Sequence, residues 1–437
     1  MRKTTVVCGV LALGVVAATL AYRARRAEQA QQLVVRAERL VHPPLSDATS
    51  WQEVRASEAV ELLEEARELS PSPELDDLLV QAEVIQLLQR GSVAAATERL
   101  AALPAGHDDA DHVVLRASVA LAAKDSAAAE RMLSKLSGRA AEQPRVWLLR
   151  SDLARARGQA DGALASAEHG LTLAPKSAAL HERRGLAYEL LGDLPRARAD
   201  LEQAASLEAH GTSALLALGR VLRDSGAFRE AVLAFHSASQ RNPADAETWL
   251  GSGVSRAALG DFVSARVDLE RAAELAPRRT EPLLALADVD VEQGELATAL
   301  GRYRAAALLD PNSAVARVKL GNALLRSRNV DAAVTEFRAA IERRPDVGAA
   351  HNGLGVALLE RGELNQAENE FKLAAELDPH DAHPMLNLAR VYKRRGDSPQ
   401  LANALAQAEA RDPHLRVTSD SANAKHEASL TTRDHSR

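Results

Sequence analysis

Residues Gly348–Asp381 read GAAHNGLGVALLERGELNQAENEFKLAAELDPHD, and the chain returns to this pattern every 34 residues. Within the stretch, Gly355 stands at the eighth place, Gly362 at the fifteenth, Ala367 at the twentieth, Phe371 at the twenty-fourth, Ala374 at the twenty-seventh and Pro379 at the thirty-second. The same grid carries Pro175, Pro243, Pro277, Pro311, Pro345 and Pro413, with Ala209 filling the one gap. It carries Ala163, Ala197, Ala231, Ala265, Ala299 and Ala333 at the twentieth place. At the fifteenth it carries Gly158, Gly192, Gly226, Gly260, Gly294 and Gly396, with Arg328 as the exception. Units in unbroken phase cover residues 144–415, so the chain is a repeat array.

Each place has a physical reason. Two short helices joined by a tight turn need a left-handed residue at the turn, which favours Gly. Where Arg328 breaks the series, Asn329 follows, and Asn tolerates that conformation next best. Small residues at places eight and twenty allow the two helices to approach closely. Place eight holds Gly185, Gly219, Gly253, Ala287, Gly321 and Ala389 besides Gly355. Place twenty-four holds Leu201, Phe235, Leu269, Tyr303, Phe337 and Leu405 besides Phe371, large side chains suited to fill the space between helices. The Pro opens the next unit, where its missing N–H costs nothing.

These residues resemble the tetratricopeptide repeat family, whose pattern of W-x2-L-G-x2-Y, A-x3-F and P has this period. The resemblance covers roughly the last two-thirds of the chain. Its early Trp survives only as Trp147 and Trp249, and its Tyr only as Tyr188 and Tyr392. The resemblance implies an all-α, right-handed superhelical solenoid of antiparallel helix pairs. It implies a groove lined by the first helix of each pair, binding of proteins or peptides, no catalysis and no cofactor.

Composition agrees with many small contacts in place of one large core. Aromatics are 3% and hydrophobic residues 46% of 437 residues, a length that a stacked array reaches without a single globular core. The net charge of −6 gives no sign of a nucleic-acid partner. A single cysteine, Cys8, excludes disulfide frameworks and Cys-based zinc sites. The Ala/Arg-rich, Lys-poor usage suits a bacterium of high GC content.

The grid and the composition divide the chain into five parts. Residues 1–22 contain the uncharged run Thr4–Tyr22 behind Arg2 and Lys3, and Arg23, Arg25 and Arg26 follow it. As a helix the run would span about 28 Å, near the thickness of a bilayer core. An uncleaved membrane anchor is the favoured reading, and a cleaved export signal cut near Ala21 the other. Cationic residues flank both sides of the run, so orientation is nearly undetermined, with a lean to repeats outside the cytoplasm. Residues 23–45 read as a polar helical linker ended by Pro43 and Pro44. Residues 46–143 read as about three degenerate units, or a separate helical domain, with short helices over Trp51–Leu69, Leu75–Gln89, Ser92–Leu103, Asp111–Ala123 and Ser126–Leu136. Residues 144–415 hold eight repeats, and 416–437, nearly without apolar residues, read as a disordered tail.

Chemistry is hard to find. Gly251–Gly253 and Gly353–Gly355 lack the third Gly of a phosphate loop and sit at packing places. His181–Glu182 lacks the second His of a zinc-protease helix. Asp288, Asp290 and Glu292 resemble a calcium loop, but Gly294 comes one place late. The best metal candidates, His107, Asp108, Asp109, Asp111 and His112, then His380, Asp381 and His383, lie in loops where solvated polar residues are the default. No metal site is assigned.

Function is expected in the groove. The resemblance turns places two, five, nine, twelve and thirteen of each first helix inward. Place five holds Leu216, Leu250, Leu284, Val318, Asn352 and Leu386, either an apolar ladder for a partner helix or extended peptide, or side chains half-buried against the next unit. Places nine to thirteen hold Arg220 and Arg223, then Asp288 and Glu292, then Asn322 and Arg326, then Arg390, Lys393 and Arg394. The surface therefore changes sign, with an acidic middle and a basic C-terminal end. Asn322 and Asn387 match polar groove places of the family. The expected function is a membrane-tethered scaffold or assembly adaptor, similar to the anchored arrays that bacteria use in envelope, pilus, secretion and cytochrome assembly. A holdase for unfolded envelope or secreted clients is the alternative. Partner identity and oligomeric state are not legible.

Overall fold

The computed structural model describes residues 2–41, 55–103, 109–207 and 211–412, with residues 2–21 described by their backbone alone. Pro43, Pro44, Trp51, His107, Asp108, Ala209, Pro413 and the tail from 416 lie outside the described residues. Among the described residues all regular structure is helical. The chain divides into two compact units, Met1–Arg241 and Asn242–Arg437. The first holds α1 (Arg2–Val41), α2 (Ala56–Leu69), α3 (Pro73–Gln89), α4 (Val93–Leu100), α5 (Ala110–Ala122), α6 (Ser126–Leu133), α7 (Gly138–Ala141), α8 (Pro144–Ala156), α9 (Ala160–Leu173), α10 (Ala178–Leu190), α11 (Leu194–Leu207), α12 (Ser213–Asp224) and α13 (Phe228–Arg241). The second holds α14 (Ala246–Ala258), α15 (Phe262–Leu275), α16 (Glu281–Glu292), α17 (Leu296–Leu309), α18 (Ala314–Arg326), α19 (Val330–Arg343), α20 (Gly348–Glu360), α21 (Leu364–Leu377), α22 (His383–Arg395) and α23 (Ser398–Arg411).

Consecutive helices pack as pairs, α8 with α9, α10 with α11, and so on to α22 with α23. The core of each pair is built as the 34-residue grid implies. Ala163, Ala197, Ala231, Ala265, Ala299, Ala333 and Ala367 are all fully buried. So is a second series, Ala204, Ala238, Ala272, Ala306, Ala340, Ala374 and Ala408, at the twenty-seventh place. Small meets large across each pair. A Cβ added at Gly219 would come 2.6 Å from the Phe235 ring, one at Gly253 2.6 Å from Leu269, and one at Gly355 2.6 Å from the Phe371 ring. Such distances lie far inside van der Waals contact, so the glycines are what allow these helices to touch.

The turn shows where residue preference gives way to hydrogen-bond register. All seven turn glycines from Gly158 to Gly396 have φ between 69° and 80°. Arg328 has φ 63°, while Asn329 has φ −91°, so Arg328 itself takes the left-handed conformation and the expectation for Asn329 is corrected. The reason is the closing bond. Asn329 N donates to Leu324 O at 2.9 Å, just as Glu363 N donates to Leu358 O at 2.9 Å. That six-to-one closure places the positive φ at the fifteenth residue whatever its identity. Lys124, on the same grid, repeats the exception with φ 61°. Arg328→Gly is therefore expected to stabilise the fold by about 1 kcal/mol, read as a shift of the urea midpoint with unchanged slope; a lower midpoint would refute strain at this turn.

The missing Trp of the repeat pattern also finds its explanation. Trp249 Nε1 donates to Pro243 O at 2.9 Å. In other units a different nitrogen sits at the same place. His181 Nε2 lies 3.1 Å from Pro175 O, His351 Nε2 3.0 Å from Pro345 O, and Arg317 Nε donates to Pro311 O at 3.3 Å. The residue six places before Trp147 is Ala141, and Trp147 Nε1 is buried without a hydrogen-bond partner. The proline carbonyl, left free because no helix continues through it, is the acceptor that the fourth place serves.

The first unit differs from the linear reading in one respect. The segment read as a polar linker is the second half of α1, and it buries Ala30, Ala37 and Val41 in a core shared with α2. These three recur on one helical face. Two alanines among Arg, Glu and Gln make a stripe too thin to stand out in the sequence. Beyond it, α5 and α6 keep the grid, with Ala117, Ala129 and Leu133 buried, whereas the α3–α4 turn at Gly91 falls one place late.

Candidate partner-binding face

In the second unit the first helices of successive pairs touch directly, α14 with α16, α16 with α18, α18 with α20 and α20 with α22. They form one continuous layer, and the groove places of the sequence lie on it. Leu250 and Leu386 are half-buried, while Leu284 and Val318 are only 7% exposed and Asn352 is 4% exposed. The fifth place thus faces the neighbouring first helix more than solvent, and Leu284 and Val318 belong to the hydrophobic core. In the first unit Leu216 is half-buried, Arg220 stands 3.6 Å from Glu189, and Arg223 pairs with its neighbour Asp224 at 3.1 Å.

The acidic middle is built from pairs. Asp288 accepts from the Tyr303 hydroxyl and pairs with Lys319 at 3.0 Å. Burial and then the Asp288 charge raise the Tyr303 phenol above its usual range. Asp290 is 0% exposed and is held by Arg266 at 2.8 Å and Arg302 at 2.7 Å. Glu292 is exposed. The calcium-like spacing is thereby divided among three environments, with only Glu292 open to solvent. Lys319 was not singled out in the sequence, although a spacing of 31 residues links it to Asp288, Arg183 to Asp152 and Ser213 to Glu182. Once the period is known, that spacing is readable as the ninth place of one unit meeting the start of the next first helix.

The basic end lies on α18, α20 and α22. Asn322 and Arg326 are half-buried on α18. Asn387 is fully buried; its Nδ2 donates to Asn352 Oδ1 at 2.9 Å, and its Oδ1 accepts from Arg390 at 3.1 Å. Lys393 is half-buried and Arg394 exposed. Behind this face, Glu368 ties α21 to α22. Burial pushes its carboxyl up, but hydrogen bonds from Lys372, Arg395 and Tyr392 prevail and bring its pKa down to about 2.

The loop candidates are spent on structure. Asp109 caps α5 by accepting from Asp111 N and His112 N, each at 3.0 Å. Buried His112 stands between Asp109 at 2.6 Å and Asp77 at 3.0 Å, and Asp111 pairs with Arg145. Among the described residues no group of three or more His, Cys, Asp or Glu side chains is arranged to hold a metal ion. His380 is exposed, whereas His383 Nδ1 lies 2.6 Å from Asp381 Oδ1. The Asp381 hydrogen bond raises the His383 pKa above 6.5, and burial opposes it. Burial raises the Asp381 carboxyl, but the His383 bonds outweigh it and hold it below 3.8. The histidine's contribution is full below its unfolded pKa and is lost as pH rises through the raised folded value. The aspartate's is lost as pH falls through its lowered one. The stability gap between the parent chain and His383→Gln is therefore expected to be larger at about pH 5.5 than at about pH 8.5; a gap that grows with pH would contradict the pairing.

No curated protein matches the chain by sequence. The model of a family described as Tetratricopeptide repeat matches residues 216–280, 284–334 and 318–382. Among solved structures, yeast Tom70 is similar with a TM-score of 0.50 and 16% identity, over 91% of this chain and 94% of that one. The APC/C hetero-tetramer Cut9–Hcn1 is similar with a TM-score of 0.43 and 16% identity, over 82% of this chain and 84% of that one. A tetratricopeptide repeat protein from Parabacteroides merdae is similar with a TM-score of 0.48 and 14% identity, over 60% of this chain and 98% of that one. At such identities the likeness to Tom70 is one of fold.

Proposed function

We propose that this chain, which belongs to the tetratricopeptide repeat family, is a protein-interaction scaffold that takes an extended peptide or a helix of a partner on the first-helix layer of its second unit. The observation carrying this reading is the layer itself. Its first helices touch one another in unbroken order, and Asp288, Asn322, Arg326, Arg390 and Lys393 stand half-buried along it. Half-buried polar side chains on a rigid scaffold lose little freedom on binding. No catalytic role is assigned. The test is a photo-crosslinking amino acid placed at Asn322 or, on a second helix, at the exposed Val267. Crosslinks from Asn322 to one segment of one partner are expected; crosslinks from Val267 alone would overturn the reading. A broad set of unfolded clients at Asn322 would favour the holdase.

The proposal extends to location. Thr4–Tyr22 is read as a single-pass anchor in a bacterial inner membrane, with the repeats on the periplasmic side. Among the described residues no helix is long and apolar enough to cross a membrane. The support for an anchor is the length and neutrality of that run in the sequence. Carbonate-resistant sedimentation with membranes, lost on deleting residues 2–22, is the expected result. A full chain extracted by carbonate would overturn the anchor.

A further inference from the structure

Three guanidinium groups from separate segments gather around one carboxylate at the end of α20. Glu360 lies 3.7 Å from Arg328 and 3.9 Å from Arg390, both beyond hydrogen-bonding distance. Arg394 donates to the carbonyl of Leu359, the residue before it. One negative charge thus faces three positive ones.

Arg390 is the most constrained of the three. Its side chain is only 16% exposed, yet no carboxylate stands as near to it as the arginines stand to Asp290 in the same unit. A largely buried cation without a close counter-ion is costly. Burial lowers the Arg390 pKa, Glu360 partly offsets this, and the nearby Arg394 lowers it further. The guanidinium is nonetheless aimed, because the buried chain Asn352–Asn387 holds one of its nitrogens. Two amides buried in an Ala/Leu layer add little stability of their own. Arg328 adds a second, independent oddity. It occupies a left-handed turn where the units before and after it use Gly294 and Gly362. Strain retained at one turn of a series points to a use for the side chain.

We propose that Arg328, Arg390 and Arg394 form a receptor site for an acidic peptide segment of a partner protein, whose carboxylates supply the close counter-charge that Glu360 does not, with Asn387 as a positioning residue for Arg390. The site rests on the reading of the first-helix layer as the binding face and names the chemistry it selects. A peptide is favoured over an anionic membrane because Arg390 is recessed: a carboxylate side chain reaches between helices, and a flat headgroup layer meets only exposed cations.

The test uses the purified full chain and a fluorescein-labelled peptide of alternating Glu and Leu, with its Gln–Leu counterpart as control. The Glu peptide is expected to bind, and Arg390→Glu to weaken it more than ~10-fold, with binding falling as salt rises. Arg390→Gln serves if the reversal fails to fold. Asn387→Leu is expected to keep or raise the melting temperature and still weaken binding, an outcome that a purely structural Asn does not produce. Arg328→Gly is expected to stabilise the chain while weakening the complex. Equal binding of both peptides, or a Glu complex indifferent to position 390, overturns the acidic site while leaving the crosslinking result at Asn322 to judge the face. Failure to bind either peptide overturns it too, as does displacement by inorganic phosphate or preference for phosphatidylglycerol vesicles, which would assign the cations to a phosphate group.

Discussion

Asp290→Ala is expected to destabilise the second unit by about 3 kcal/mol. Asp290 is fully buried and joins three helices, since Arg266 belongs to α15, Asp290 to α16 and Arg302 to α17. Removing the carboxylate leaves two guanidinium groups facing each other across the space it filled. Each keeps about a quarter of its side chain in solvent, which moderates the loss. Glu295 near Arg266 takes up part of one charge. Asp290→Asn, which keeps two acceptor directions but no charge, is expected to lose less. Urea unfolding followed by circular dichroism checks both, and a loss under about 1 kcal/mol for the alanine variant would show that water already shares this site.

Phe337→Ala is expected to cost about 4 kcal/mol, near the upper end for a buried aromatic. Its ring is fully buried and lies between two glycines of successive first helices. A Cβ on Gly321 would fall 2.7 Å from it, and one on Gly353 2.3 Å. Truncation opens a cavity whose two walls have no side chains with which to fill it. The spread of costs for one substitution depends on such collapse, and here little is available. Gly353→Ala tests the same contact from the other side, since its methyl group meets the ring and must displace it. A Phe337→Ala loss under about 2 kcal/mol would mean that the helices close over the gap.

The period, the pairing of small and large residues and the helix limits were legible because they are local and recur. What escaped was of two kinds. Some features depend on atoms and not on residue types. Arg328 takes the left-handed turn because a backbone hydrogen bond puts it there, and His181, Arg317 and His351 do the work of a Trp because an N–H is all that the proline carbonyl asks for. Others depend on which side chains meet across units. Glu360 drew no notice in the sequence, since its significance is its distance from Arg328 and Arg390. The apolar series at the fifth place was visible, but its depth was not: Leu284 and Val318 lie in the core while Leu250 and Leu386 are half-buried.

The helix α1 runs without interruption from Arg2 to Val41, and its second half is part of the packed core. A rod of this kind has no joint. At 1.5 Å per residue it is about 60 Å long, and each residue turns it by about 100°. Whatever grips residues 2–21 therefore sets the azimuth at which α2 leaves the rod, as a key shaft sets the angle of its bit. One alanine inserted after Arg26 would rotate the two halves by that same angle, and a full turn would nearly restore them. The facing direction of the first unit is in this sense written as a count of residues.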